Sequence, residues 1–405
     1  MKTALPPGWD VVPLESLLVT SRDLTYGVVQ PGAHQRDGVP VARVSDIRDG
    51  RVDLSSPLRI AAEVESGYSR SRIEGGELLV TLVGTVGECA VAPDAMRGWN
   101  VARAVAVVKI RPDVGARWVG RCLRERDSVT RILSRVNTTV QTTLNLADLR
   151  QVPVVLPPKA ERLAIANIAD ALDDKIESNR LIQGHTSDLI DALAKRVLEL
   201  NDTREATLAE LVEFNRLTMR PGDADSEVLY VDISSVSPGR IEAATITTWE
   251  AAPSRARRGV RDGDVIFSTV RPGRRAFAQL LDPDERIVVS TGFAVMSPTP
   301  AIGSSLLTTV AASAEFASYL ESVAHGSAYP AVSVTSLGNY PIKVPADITA
   351  VAEFEATTMP LRRRAHNAEQ ESRALARLRD VLLPELLSGR IQVPEAREAV
   401  EEVAR

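Results

Sequence analysis

Cysteine is scarce in this chain: Cys89 and Cys122 are the only two among 405 residues. That excludes a disulfide-stapled scaffold and makes a reducing cytoplasm the expected compartment. Long apolar runs are missing too, so no membrane-spanning helix is expected. The opening "MKTALPPGWDVV" has no apolar core of the kind that marks a secretory signal. Histidine is sparse, and His34, His185, His325 and His366 are scattered far from the two cysteines. No metal-ligand spacing results. There is no phosphate-binding G-x-x-x-x-G-K-[ST] loop and no G-x-S-x-G elbow. The Asn/Asp-Pro-Pro-Tyr/Phe tetrapeptide of amino-methyltransferases is also absent, since "LPPG" and "LPPK" carry no group that would hold a target amine. Asp173-Asp174-Lys175 has the form of a nuclease D-x-K, but its surroundings predict an exposed, charged helix face. These absences point to a binding device without catalysis.

What is present is ordinary in bulk and uneven in detail. Hydrophobic content is 44% and charged content 25%, as in a folded soluble protein, and the length suits two or more domains. Net charge is −5. Residues 97–135 nevertheless hold ten Arg/Lys against three acids, and residues 254–275 hold seven Arg against two acids. Such islands suit either a polyanion or plain solvated surface.

The chain is written twice. "IEGGELLVTLVGTVGECAV" (73–91) resembles "VRDGDVIFSTVRPGRRAFA" (260–278), and "LRQVPVVLP" (149–157) resembles "LGNYPIKVP" (337–345). "VARVSDIRDGRVD" (41–53) resembles "YVDISSVSPGRIE" (230–242), and "PLESLL" (13–18) resembles "TLAELV" (207–212). The matches are collinear, which makes them two copies of one unit. Each copy reads as a strand-rich part with glycine and proline turns, followed by a helix of about 40 residues.

The first helix shows 4-3 spacing at Ile165, Ala169, Leu172, Ile176, Asn179, Gln183, Thr186, Ile190, Leu193, Val197 and Leu200. The second repeats it at Phe354, Leu361, Ala365, Ala368, Leu375, Leu382 and Leu386. This is a coiled-coil seam, and at 1.5 Å per residue each helix is about 60 Å long. Two such helices can bury each other's seam as an antiparallel pair. Asn179, Gln183 and Thr186, beside Gly184, either fix the register of that seam or break it. Pro360 interrupts the second helix, Pro384 is expected to kink or end it, and Gly389 is a C-cap candidate. Pro157 and Pro158 suit the entry to the first helix.

These residues resemble a known family. "QTTLNLADLRQVPVVLPPKAERLAIANIADALDDKIESN" (141–179) is similar to the passage from a target-recognition domain into a spacer helix in specificity subunits of type I restriction-modification systems. "LPPGWDVVPLESLL" (5–18) and "LRDVLLPELLSGRIQVPE" (378–395) look like the usual start and end of such chains. The second copy departs from the pattern, because "ADITAVAEFEATTMPLRRR" lacks the Glu-Arg/Gln-x-x-Ile-Ala signature seen at 161–166.

The resemblance implies an α+β protein of two pseudo-repeated, strand-rich target-recognition domains joined by two long helices in an antiparallel coiled coil. The expected parts are domain 1 at 1–157, a central spacer helix at 158–202, domain 2 at 203–346, a distal spacer helix at 347–390 and a tail at 391–405. It further implies a non-catalytic, cytoplasmic DNA reader with a bipartite, asymmetric duplex target. Methyltransferase subunits and a restriction/translocase subunit would be its partners. S-adenosylmethionine, ATP and Mg would belong to those partners, with no cofactor on this chain. The alternative is a stand-alone coiled-coil scaffold for protein interactions.

The copies differ in their loops, "LVGTVGEC" against "TVRPGRRA", which is where different bases would be read. Candidate DNA contacts are Arg70, Arg72, Arg97, Asn100 and Arg103 in the first domain. In the second they are Arg255, Arg257, Arg258, Arg271, Arg274 and Arg275. Arginine can donate bidentately to guanine or hold a phosphate. Gln141, Thr142, Tyr329 and Pro330 stand before the last strand of each domain, where packing is the favoured role.

Overall fold

Short apolar runs between glycine- and proline-bearing turns become strands, and the two long periodic runs become helices. The computed structural model describes residues 5–134, 143–220, 227–326 and 330–403. The chain divides into two compact units, Met1–Lys175 with Ala374–Arg405, and Ile176–Arg373. Both cuts fall inside the two long helices, Lys159–Leu200 and Ile348–Ser388. Each unit therefore comprises one strand-rich head and half of each long helix.

In the first unit, strands Leu24–Tyr26, Val105–Val108, Leu78–Thr81 and Cys89–Val91 lie side by side in that order, all antiparallel. The two central strands are buried at every residue, which is why they read as unbroken apolar runs. A second sheet orders Leu58–Ile60, Val39–Ala42 and Asn100–Val101, the last two parallel. Asp10–Pro13 pairs antiparallel with Pro153–Leu156, directly before the first long helix. The helix Ala116–Arg124 buries Trp118, Val119, Cys122 and Leu123, and the Trp118 indole donates to the Val155 carbonyl at 2.9 Å.

The second unit repeats this plan. Thr203–Thr207 pairs with Pro341–Pro345 before the second long helix. A five-stranded sheet orders Val212–Phe214, Phe293–Pro298, Val265–Ser268, Phe277–Gln279 and Val236–Ile241. A four-stranded sheet orders Thr245–Thr248, Glu227–Val231, Ile287–Ser290 and Ala256–Gly259, and its central pair is parallel, as in the first head. Helices Gly303–Ala312, Ala314–Ser322 and Val334–Gly338 match Ala116–Arg124, Arg126–Ser134 and Leu146–Arg150. The core of this head is sewn by aromatics, with Phe316 edge-on to Phe267 at 5.1 Å between ring centroids.

Within each unit the two long helices meet antiparallel. In the first, Ile168, Ala169 and Leu172 face Leu382, Leu383 and Leu386, and Asp173 meets Arg379. In the second, Ile190, Leu193, Ala194 and Val197 share a core with Phe354 and Leu361. The 4-3 positions of the first helix from Ile165 to Val197 are buried or half-buried, whereas Leu200 is 69% exposed and lies off the seam. Asn179 is fully buried, and its amide donates to Glu371 at 2.8 Å. The helix is continuous through Gly184, so the polar stretch does not break it.

Pro384 does not end the second helix, and Pro360 does not interrupt it; the element runs through both to Ser388. Each proline removes one N–H that would serve a carbonyl four residues earlier, on Ala356 and Asp380. Both of those residues are exposed, so water can take the place of the absent donor. The helix stops at Gly389 instead, which adopts φ +70°. Its N–H reaches the Leu386 carbonyl at 3.2 Å, and the Arg390 N–H reaches Glu385 at 3.0 Å. This double closure is a Schellman end.

A Cβ at position 389 would fall 2.3 Å from Pro6 Cγ and would stand on a left-handed backbone. Gly389→Ala is therefore expected to destabilise the first unit by about 1–2 kcal/mol. A thermal melt should drop by a few degrees; an unchanged melt would refute this reading of the cap.

Candidate nucleic-acid interface

Part of the first basic island is spent on the protein's own acids. Arg117 and Arg121 lie one turn apart on Ala116–Arg124 and point to the first long helix. Arg121, with a side chain only 4% exposed, donates to Asp170 at 2.7 Å and Asp173 at 3.2 Å. Arg117 reaches Asp170 at 2.9 Å, and Arg379 reaches Asp173 at 3.1 Å from the other long helix. Asp173 of the D-x-K triplet is thus an anchor for two arginines. Burial would raise the Asp170 pKa, but the Arg121 and Arg117 guanidiniums outweigh it and hold the carboxyl below its usual range. Charge counting could not find this joint; the arginine pair spaced by four and the acid pair spaced by three were its signal.

The second head is fixed differently. Glu355 of the second long helix accepts the N–H groups of Ser304, Ser305 and Leu306 at 3.1, 2.7 and 3.3 Å, capping Gly303–Ala312 from outside. Burial pushes the Glu355 carboxyl up, against the pull of those three donors. Arg362 binds Ser305 Oγ at 2.6 Å and Thr309 Oγ1 at 2.9 Å.

Among the sequence candidates in the first head, Asn100 must be withdrawn from the surface. It is fully buried, accepts from Ser71 Oγ at 2.7 Å and donates to Glu65 at 3.0 Å and to the Tyr68 carbonyl at 3.1 Å. Its polar valences are filled, so it holds loops together. Arg72 forks onto Glu65, with contacts of 2.8 and 2.5 Å. Arg97 is exposed near Asp94 at 3.9 Å. Arg70 and Arg103 are exposed, and neither meets an acid among the described residues.

In the second head, Arg255 bonds Tyr230 Oη at 2.9 Å and stands 3.7 Å from Asp232. Arg257 and Arg258 are half-buried on the strand Ala256–Gly259. Arg271 and Arg275 flank the turn Pro272–Arg274 with φ of 50° and 52°, a left-handed conformation rare outside glycine. Arg275 turns inward and donates to the Ala312 carbonyl at a helix end, so it braces the loop and is not free to reach DNA. Arg274 is exposed at the turn's tip. Pro330 accepts the Arg271 N–H at 2.7 Å, a packing role; Gln141, Thr142 and Tyr329 lie outside the described residues.

Among the described residues, no cluster of three or more His, Cys, Asp or Glu could hold a metal ion. No helix there is long and apolar enough to cross a membrane.

Two heads of one design, each seated on antiparallel halves of long helices, are an arrangement found in solved structures. The crystal structure of the S subunit from M. genitalium matches with a TM-score of 0.61 at 15% identity, covering 95% of this chain and 98% of that one. At that identity the likeness is one of fold. In sequence, the chain is 33% identical over 174 residues to the type I restriction enzyme EcoBI specificity subunit of Escherichia coli. That match takes in 42% of this chain and 36% of the relative, so it spans about a third of the relative's length. The resemblance read from the sequence is borne out. No family profile matches the chain.

The lowered pKa of Asp170 carries a pH signature. Its contribution to stability is complete above the unfolded carboxylate value near 3.9 and is lost as pH falls through the lower folded value. Asp170→Asn should lower the melting temperature at pH 7, with the gap to the parent protein closing below about pH 4. Melts at the two pH values decide it; a gap that stays constant removes Asp170 from the acid response.

Proposed function

We propose that this chain is the DNA-reading specificity subunit of a type I restriction-modification complex and performs no chemistry itself. Each head would read one half of a split, asymmetric duplex site. The long helices would set the interval between the halves and dock methyltransferase subunits, with a restriction/translocase subunit joining for cleavage. The carrying observation is the duplication, with two heads of equal plan that differ in their loops and are each clamped to half of a helix pair.

The physics of each part fits. Helices of 42 and 41 residues extend about 60 Å, more than the roughly 34 Å between sites one DNA turn apart. A rigid helix can impose such an interval, whereas a flexible linker cannot. The clamps of Arg121 on Asp170 and of Glu355 on the 303–312 helix fix each head to its own helix segment. In the second head Arg274, with Arg255 and the strand residues Arg257 and Arg258, is the cationic group we assign to DNA. Arg70, Arg72, Arg97 and Arg103 take that part in the first.

Comparing the methylomes of cells with and without the gene tests the whole reading. Loss of one bipartite adenine-methylation motif is the expected result. A purified chain that ignores duplex DNA at low salt favours the stand-alone scaffold. At residue level, Arg274→Ala should weaken duplex binding and lower the slope of log affinity against log salt by about 1. An unchanged slope removes Arg274 from the interface.

A further inference from the structure

The two heads share a scaffold, so positions where they differ in length are informative. Leu18 stands opposite Ile110 and Leu24 opposite Val108 in the first head. In the second, Val212 stands opposite Pro298 and Phe214 opposite Met296. Six positions separate the first pair of landmarks and two separate the second, so the first head carries a four-residue insertion. It falls in the segment Val19-Thr20-Ser21-Arg22-Asp23, directly before the edge strand Leu24–Tyr26 of the sheet.

The surroundings of that insertion are distinctive. The Arg70 guanidinium donates to the Arg22 carbonyl at 2.9 Å, joining the insertion to the turn Ser69–Ser71. The Arg103 N–H donates to the Val28 carbonyl at 2.8 Å, bringing a third arginine to the chain leaving the same edge strand. Tyr26 ends that strand with 45% of its surface exposed, and Val19 is 53% exposed. The acid of the segment, Asp23, is held by Thr20 Oγ1 at 2.6 Å.

Several other arginines of this head are partnered, Arg43 with Asp46, Arg111 with Asp113, and Arg117 and Arg121 with Asp170, although Arg36 and Arg48 are exposed and meet no acid among the described residues. Arg22, Arg70 and Arg103 meet no acid among the described residues, and all three are exposed. Unneutralised guanidiniums gathered in one neighbourhood are the electrostatic footprint of a nucleic-acid site.

We infer that the face formed by Arg22, Tyr26, Arg70 and Arg103 is where the first head meets duplex DNA, the arginines on phosphates and Tyr26 against sugar or base. This adds Arg22 and Tyr26 to the interface and rests on the DNA-reading function proposed above. Arg22 comes from an insertion that the second head lacks, so its part of the contact belongs to the first half-site.

The test titrates the full chain against a fluorescent duplex of mixed sequence over a range of NaCl concentrations. R22A/R70A/R103A should reduce the slope of log affinity against log salt by about 2–3, near 0.9 for each phosphate no longer neutralised. R22A alone should reduce it by about 1, which keeps the test open should the triple variant fold poorly. Y26A should weaken binding with the slope unchanged, because a contact to sugar or base neutralises no phosphate. R43A/R111A, which removes partnered arginines of the same head, should leave the slope at its parent value. A parent chain that binds and a triple variant with the parent slope overturn this face; a parent chain that binds no duplex overturns the DNA-reading function itself.

Discussion

A helix of some 60 Å with an apolar stripe along it cannot remain in water by itself. Removing that stripe from solvent is the constraint on which the rest of the structure depends. The first long helix meets the requirement twice over its length, with different company each time. Ile168 and Leu172 are covered by Leu382 and Leu386, whereas Ile190 and Ala194 join the core around Phe354. At about 25 cal/mol per Å² of apolar surface, this burial supplies the driving force, and the polar clamps select the arrangement.

Those clamps differ between the copies although the scaffold does not. In the first head the cation comes from the head helix and the acids from the long helix, as Arg121 with Asp170 and Asp173. In the second the long helix supplies both Glu355 and Arg362, and the head offers N–H groups and hydroxyls. A buried ion pair is weak evidence for stability, but breaking this joint would strand Arg121 as an uncompensated buried charge, which is costly. The seam carries a similar mark at Asn179, whose buried amide finds Glu371 and thereby favours one register.

What the sequence revealed follows from which signals are local. The seam from Ile165 to Val197 was legible because helical periodicity needs only one chain, and the duplicated strands were legible because each copy vouches for the other. Asn100 misled because a polar residue beside a glycine loop looks exposed, while its neighbours Glu65 and Ser71 come from distant positions. Arg275 misled for a related reason: charge is visible in sequence and the group that it braces is not. Pro384 looked terminal because the missing hydrogen bond is a local fact, whereas the exposure of Asp380 that makes it tolerable is a tertiary one. The arginine face around Tyr26 needed the edge strand to bring Arg22, Arg70 and Arg103 into one neighbourhood.

The division of the chain also imposes an order of birth. The second unit is one continuous stretch, Ile176–Arg373, while the first is interrupted by all of it and finished only by Ala374–Arg405. During synthesis the head that emerges first must wait with Ile168 and Leu172 bare until Leu382 and Leu386 leave the ribosome. At about 5–20 residues per second that wait lasts roughly 10–40 s, long enough for exposed apolar surface to find other company. Of the two heads, the one made earlier is thus the one completed later.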